Sequence, residues 1–306
     1  MIPDNVVGAR HTDCHKTKVC AVIITYNGGA VVAATVNAVF DQVDYLIIVD
    51  NHSDALTVRH LKALSQQRSD KLMVVYNDTN RGLAAALNQG IRLALERRCD
   101  WILTLDQDSF AEARMVAQML EAYNCAADQP SIAIIAPRSV LIADGQARMS
   151  PDTAAEPAVE VNLIHTSGNL VKAEVFKRVG WFREDYFIDQ VDYEFCFRVR
   201  KAGFRILISR DAVMRHRLGD LKSARFFGKR VFHSNYSAIR RYYITRNGII
   251  LSREIRDWRF LKSHVLLVAK ESLKVLLYED QKWEKSRLTL KGLKDGLAGK
   301  LGRLNG

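Results

Sequence analysis

The 306 residues are 48% hydrophobic and 26% charged, with only 5 Pro and 17 Gly. This excludes a disordered or fibrous chain and leaves room for one large α/β domain, with or without a helical appendage. The net charge of +11 is uneven: residues 201–306 hold 25 Lys and Arg against 9 Asp and Glu, so residues 1–200 carry −5.

The five cysteines, Cys14, Cys20, Cys99, Cys125 and Cys196, are scattered without metal-ligand spacing, as reduced thiols of a cytosolic protein would be. No run of 18 apolar residues occurs, and the N-terminus lacks a basic stretch followed by an apolar one, so neither a membrane span nor an export signal is expected.

Residues 1–17 are polar and irregular. Residues 18–25 then form a short β-branched run that reads as a strand buried on both faces. Helical stretches at about 30–40 and 54–67 separate it from strands at 45–50 and 71–76. A helix at 83–98 leads to a strand at 101–105, and a helix at 112–125 leads to a strand at 132–136. Such alternation predicts right-handed crossovers and a doubly wound, mostly parallel, Rossmann-like sheet. Beyond about residue 140 the alternation fades into a polar tract at 143–160 and a small-residue turn at 165–169 that suits close approach of a ligand to backbone. A helix at 192–202 and β-like pieces at 205–209 and 212–215 follow, and from about 223 the pattern reads as helical and basic.

Ligands of such sheets sit beyond the carboxyl ends of the strands, and here those ends are polar. They are Thr25-Tyr26-Asn27, Asp50-Asn51, the Asn80-Arg81-Gly82 that follows the third strand, and Asp106-Gln107-Asp108. A single Asn or Asp at such a place is also an ordinary turn or cap residue. Two carboxylates flanking one residue suit a hard divalent cation, which stabilises a departing diphosphate. Asp108 is the expected ligand, with Asp106 on a donor ribose or a metal-bound water. Asp50 suits either a ribose hydroxyl or the imide proton of uracil or thymine. No G-x-G-x-x-G follows the first strand, which weighs against a nicotinamide oxidoreductase.

Gly82 opens a helix whose free N–H groups suit a phosphate, with Arg81 beside it. A second acidic cluster, Asp189, Asp192 and Glu194, lies at the start of the 192–202 helix. There one aspartate suffices as general base toward an acceptor hydroxyl, although Asp192 also reads as a helix cap. His216, between Arg215 and Arg217, fits either a metal shell shared with Asp108 or plain packing. Tyr242, Arg246 and Asn247 either line donor phosphates or face solvent.

In order and spacing these motifs resemble the inverting family-2 glycosyltransferases of the GT-A fold, and among them the bacterial rhamnosyltransferases. The resemblance runs from about Val19 to Asn247 through Thr25-Tyr-Asn27, Val49-Asp50-Asn51, Asn80-Arg-Gly82 with Asn88, Thr104-Leu-Asp-Gln-Asp-Ser109, Thr166-Ser-Gly-Asn169, Val191-Asp-Tyr-Glu194 with Cys196 and Arg198, and His216-Arg-Leu-Gly219. It implies a GT-A domain over 18–221, with a nucleotide half (18–140) and an acceptor half (141–221), followed by a basic helical region (222–306). It also implies Thr25, Tyr26, Asn27, Asp50, Asn51, Asn80, Arg81, Gly82, Asp106, Gln107, Ser167, Gly168 and Arg246 around the donor. Mg²⁺ or Mn²⁺ would sit on Asp108, Asp106 and His216.

The family commonly has Glu-Asp before the base helix. Matching through Cys196 and Arg198 selects Asp192 as base, whereas matching through the preceding loop selects Asp189. The Leu-Asp-Gln-Asp-Ser and His-Arg-Leu-Gly wording implies a dTDP-rhamnose donor and a glycan acceptor, lipid-linked on a surface polysaccharide. The basic last third, with Leu and Val mixed among lysines at 261–277, suits peripheral contact with the anionic inner face of the cytoplasmic membrane, a packed helix or a homo-oligomer contact. A nucleic-acid-binding module rests on the same charge alone, with no base-reading motif or interleaved aromatics, so nucleic acid is not an expected partner.

Overall fold

The first buried run becomes β1 (Val19–Thr25), and alternate residues enter two different cores. Cys20, Val22 and Ile24 pack on one face, and Val19, Ala21 and Ile23 on the other. The computed structural model describes residues 17–68, 70–143, 146–149, 157–217, 222–226 and 229–304. β2 (Tyr45–Asp50), β3 (Leu72–Tyr76) and β4 (Trp101–Asp106) join β1 in parallel, in the order β3-β2-β1-β4. α1 (Val31–Val39), α2 (Ala55–Gln67) and α4 (Met115–Cys125) cover one face through Val32, Val36, Leu61, Met115 and Met119. α3 (Leu83–Glu96) and α6 (Val191–Lys201) cover the other through Leu87, Ile91, Phe195 and Val199. Burial on both faces explains why the strands read as continuous apolar runs.

The sheet continues past β4 and becomes mixed. β9 (Leu170–Lys172) runs antiparallel between β4 and β6 (Ile132–Ala143), and β10 (Arg205–Arg217) is parallel to β6. β5 (Ser109–Ala111) and β8 (Ala158–Val161) pair antiparallel with β10, and β7 (Gln146–Met149) with β6. α5 (Ala173–Val179) follows β9 directly.

Three expectations change. The division expected at residue 140 falls inside β6, and β9, from beyond it, lies hydrogen-bonded between β4 and the 134–135 part of β6, so the two halves share one sheet. The pieces expected at 205–209 and 212–215 are one strand with a register shift between Ile208 and Val213. The region from 222 begins with an antiparallel pair, β11 (Lys222–Phe226) and β12 (Lys229–His233), before any helix. Residues 1–16, half of the 143–160 tract (144, 145 and 150–156), and Leu218 and Gly219 lie outside the described residues.

Three helices follow: α7 (Ala238–Glu254), α8 (Trp258–Tyr278) and α9 (Lys282–Leu297). Buried Glu279, between α8 and α9, accepts from Arg241 of α7 at 2.7 Å and from Lys285 of α9 at 2.9 Å. A buried carboxylate with two cations is neutralised and hydrogen-bonded, so this cluster locks the three helices together. Among the described residues no helix is long and apolar enough to cross a membrane.

Candidate active site

β4 ends at Asp106, and the chain turns through Gln107 and Asp108 into β5. Antiparallel pairing of β5 with the far end of β10 sets His216 opposite Ser109. Register thereby brings His216 to the acidic turn. Ser109 Oγ lies 2.9 Å from His216 Nδ1 and 2.6 Å from Ser167 Oγ, and Ser167 Oγ accepts from the Asp106 N–H at 3.0 Å. One ligand atom from each of Asp106, Asp108 and His216 falls within 4.8 Å of the others.

Two hard carboxylates and an imidazole fit Mg²⁺ or Mn²⁺. The bond from Ser109 to Nδ1 orients the ring as an outer partner of a metal-binding histidine does. Burial pushes the Asp106 carboxyl above its ordinary range, and the charges of Asp108 and Asp192 add to this while His216 and Arg240 oppose it. A carboxylate held dry beside other carboxylates favours a bound cation.

The second acidic cluster is electrostatically coupled to the first through Asp192. Asp192 is the second residue of α6 and not its cap, which is Gln190. One of its oxygens accepts from the Tyr193 N–H at 2.9 Å, and the other lies 3.0 Å from Nδ1 of His165, whose ring leans on Tyr193. Asp189 sits on the preceding loop with φ +64° and is bound by Arg240 Nε and Nη2, both at 3.2 Å. Burial pushes its carboxyl up to about 6, with Arg240 opposing and Asp192 reinforcing the rise.

The nucleotide end divides into free and committed groups. Asp50 is buried, with one oxygen accepting from the Ser53 N–H at 3.2 Å and the other unpartnered. Exposed Tyr26 and Arg81 flank the strand ends. Asn27 spends its carbonyl oxygen on the Asp54 N–H. Gln107 Oε1 accepts from both Thr25 Oγ1 and the Tyr26 N–H, each at 2.9 Å, which ties the tip of β1 to that of β4.

Asn51 and Asn80, expected on the donor, instead hold the 77–82 loop. Asn51 accepts from the Arg81 N–H and donates to Asn80 Oδ1 and the Gly82 carbonyl, while Asn80 also accepts from the Gly82 N–H. The helix start at Gly82, expected to face a phosphate, is met by protein: the Leu83 N–H donates to the Phe187 carbonyl at 2.7 Å, and a Cβ at Gly82 would strike Phe187. Close approach at Gly168 is likewise protein packing, because a Cβ there would meet Met214 and Pro137.

Arg246 and Asn247 neither face solvent nor remain free for phosphates. Buried Arg246 donates to the carbonyls of Gly302, Asp185 and Tyr186, and Asn247 Nδ2 to those of Tyr186, Ile188 and Asp189. Tyr242 is buried too, its hydroxyl 3.0 Å from Asp295. Helix α7 therefore braces the backbone of the loop that carries Asp189. Sequence reasoning missed Ser109, His165 and Arg240. The Asp-Ser wording of the fourth strand end contained the first, while no local signal joined His165 to Asp192 or Arg240 to Asp189.

Residues 20–174, just over half of the chain, match the model of glycosyl transferase family 2. The chain belongs to that family. It is thus a nucleotide-sugar-dependent glycosyltransferase. This glycosyltransferase is 28% identical over 273 residues to a dTDP-rhamnosyl transferase, RfbF, of Shigella flexneri, covering 82% of the chain and 88% of the relative.

Among solved structures it is similar to S. aureus TarS 1–349, with a TM-score of 0.62 and 13% identity over 92% of this chain and 81% of that one. The TarS 1–349 complex with UDP-GlcNAc gives 0.58 and 15% over 93% and 82%. GalNAc-T7 with UDP, GalNAc and Mn²⁺ gives 0.56 and 14% over 69% of this chain, which spans less than half (44%) of that protein's length. At these identities the likeness to solved structures is one of fold.

Proposed function

We propose that this glycosyltransferase moves rhamnose from dTDP-rhamnose, with inversion, onto a hydroxyl of a lipid-linked glycan at the inner face of the cytoplasmic membrane. One observation carries the chemistry. The 165–167 turn touches both acidic clusters, Ser167 Oγ accepting from the Asp106 N–H at 3.0 Å and His165 Nδ1 lying 3.0 Å from Asp192, so a leaving group and an attacking alcohol can be served at once. Similarity to a dTDP-rhamnosyl transferase supports the donor.

Asp50 would accept the imide N–H of the pyrimidine on its unpartnered oxygen, the hydrogen bond that a buried carboxylate oxygen otherwise lacks. Asp106 and Asp108, with His216 held by Ser109, would bind Mg²⁺ or Mn²⁺, which as a Lewis acid offsets the charge of the departing diphosphate. Arg240, whose charge reaches Asp106, adds fixed positive charge near that group. Asp192 takes the proton of the acceptor hydroxyl, and inversion needs no second acid once the diphosphate leaves as an anion. We assign the base to Asp192 and not to Asp189, one of whose oxygens is held by Arg240 while the other is shut inside the protein.

Calorimetric titration with a panel of nucleoside-diphosphate sugars in Mn²⁺, followed by the anomeric configuration of the product, tests this reading. Preference for dTDP-rhamnose and an inverted product support it. Preference for another donor removes the rhamnosyl part, and a retained anomer removes the mechanism.

A further inference from the structure

The last two helices leave most of their large apolar residues uncovered. In the 21 residues of α8 only His264 and Val275 are buried, whereas Trp258, Val265, Leu266, Leu273, Leu276 and Leu277 are 49–71% exposed. At 3.6 residues per turn these six occupy one face. In α9, Trp283, Leu290 and Leu297 recur every seven residues as an outward stripe, 61–82% exposed. This is the reverse of a helix packed on a core, because the apolar stripe faces away from the protein. Exposed apolar faces of this kind mark contact surfaces.

The charges bordering it say which kind. Exposed Arg259, Lys262, Lys270, Arg287, Lys291 and Lys294 line or flank the two stripes, while the exposed acids of the hairpin are Asp280 and Glu284. Apolar residues dip into an acyl boundary while lysine and arginine heads reach anionic headgroups, and tryptophan favours the interface between them. A symmetric contact between two copies would bring two cation-rich faces together.

We propose that the outward face of α8 and α9 seats the enzyme on an anionic lipid surface, its helices lying in the interface plane. This supplies the surface for the membrane placement proposed above and rests on that placement, but not on the donor or the base.

The test is flotation of the full chain with vesicles of phosphatidylcholine alone or mixed with phosphatidylglycerol, at low and high salt. The protein is expected to float with the mixed vesicles at low salt and to be released by salt. Lys270→Gln with Lys294→Gln should weaken binding by about fivefold per charge. Leu266→Gln, Leu273→Gln and Trp283→Gln together should weaken it by roughly tenfold or more. No flotation, or equal flotation on both vesicles at high salt, overturns the proposal. So does a dimer in sedimentation equilibrium that the leucine variant dissociates, which would make the face a self-contact. dTDP binding, measured in parallel, reports folding of each variant and separates failure here from failure of the donor reading.

Discussion

The side-chain amide of Asn247 in α7 donates to the carbonyl of Asp189 at 3.0 Å, and to those of Tyr186 and Ile188 at 2.9 and 2.8 Å. One buried side chain thus holds three carbonyls of the segment that leads into α6 and Asp192. Asn247→Ala takes this donor from the Ile188 and Asp189 carbonyls, while Tyr186 keeps Arg246, at about 1–3 kcal/mol of stability. It should also lower kcat, with donor affinity little changed. Urea unfolding and steady-state kinetics check both; a variant with normal kcat would show that the loop holds its shape unaided.

Asp192→Asn keeps the shape of the side chain and removes its basicity. Transfer should fall by about 10²–10⁴-fold while dTDP-sugar binding persists. Single-turnover transfer and calorimetry read the two quantities separately, and near-normal turnover would move the base elsewhere.

Asp108→Ala takes one carboxylate from the group within 4.8 Å of His216 and Asp106. Donor binding in this variant should no longer strengthen when Mn²⁺ is added, whereas binding in metal-free buffer should change little. An undiminished Mn²⁺ effect would place the cation away from this turn.

The Asp192 hydrogen bond raises the pKa of His165. A histidine with a raised folded pKa stabilises the fold below its unfolded pKa, and that contribution is lost as pH rises through the folded value. In Asp192→Asn the His165 titration followed by NMR should move down in pH. A stationary midpoint would mean that the 3.0 Å contact is not populated in solution.

Asp189 titrates near 6 in the fold, against an ordinary value of 3.8, mainly because it is buried. Between those values the folded state keeps a proton that the unfolded chain has lost. Stability therefore falls as pH rises through this window, by on the order of 3 kcal/mol. Asp189→Asn should flatten that slope, as measured by urea midpoints from about pH 4 to 7.

The sequence by itself determined the first four apolar strands and their parallel sense, their polar ends and the acidic turn at Asp106 and Asp108, while their order in the sheet came from the structure. Each of these is written in a short stretch, since two-faced burial demands an unbroken apolar run and the ligand edge demands polar residues after it. Only the tertiary structure decided that β5 pairs with β10 and so brings His216 to Asp108, that His165 meets Asp192, and that Arg240 holds Asp189. It also turned Tyr242, Arg246 and Asn247 inward, although their polar side chains read as easily as surface or ligand contacts. The physical reason is the same in each case. Local periodicity encodes which face of an element is covered, but which distant segment covers it, and which polar groups then need partners, is settled by packing across the whole chain.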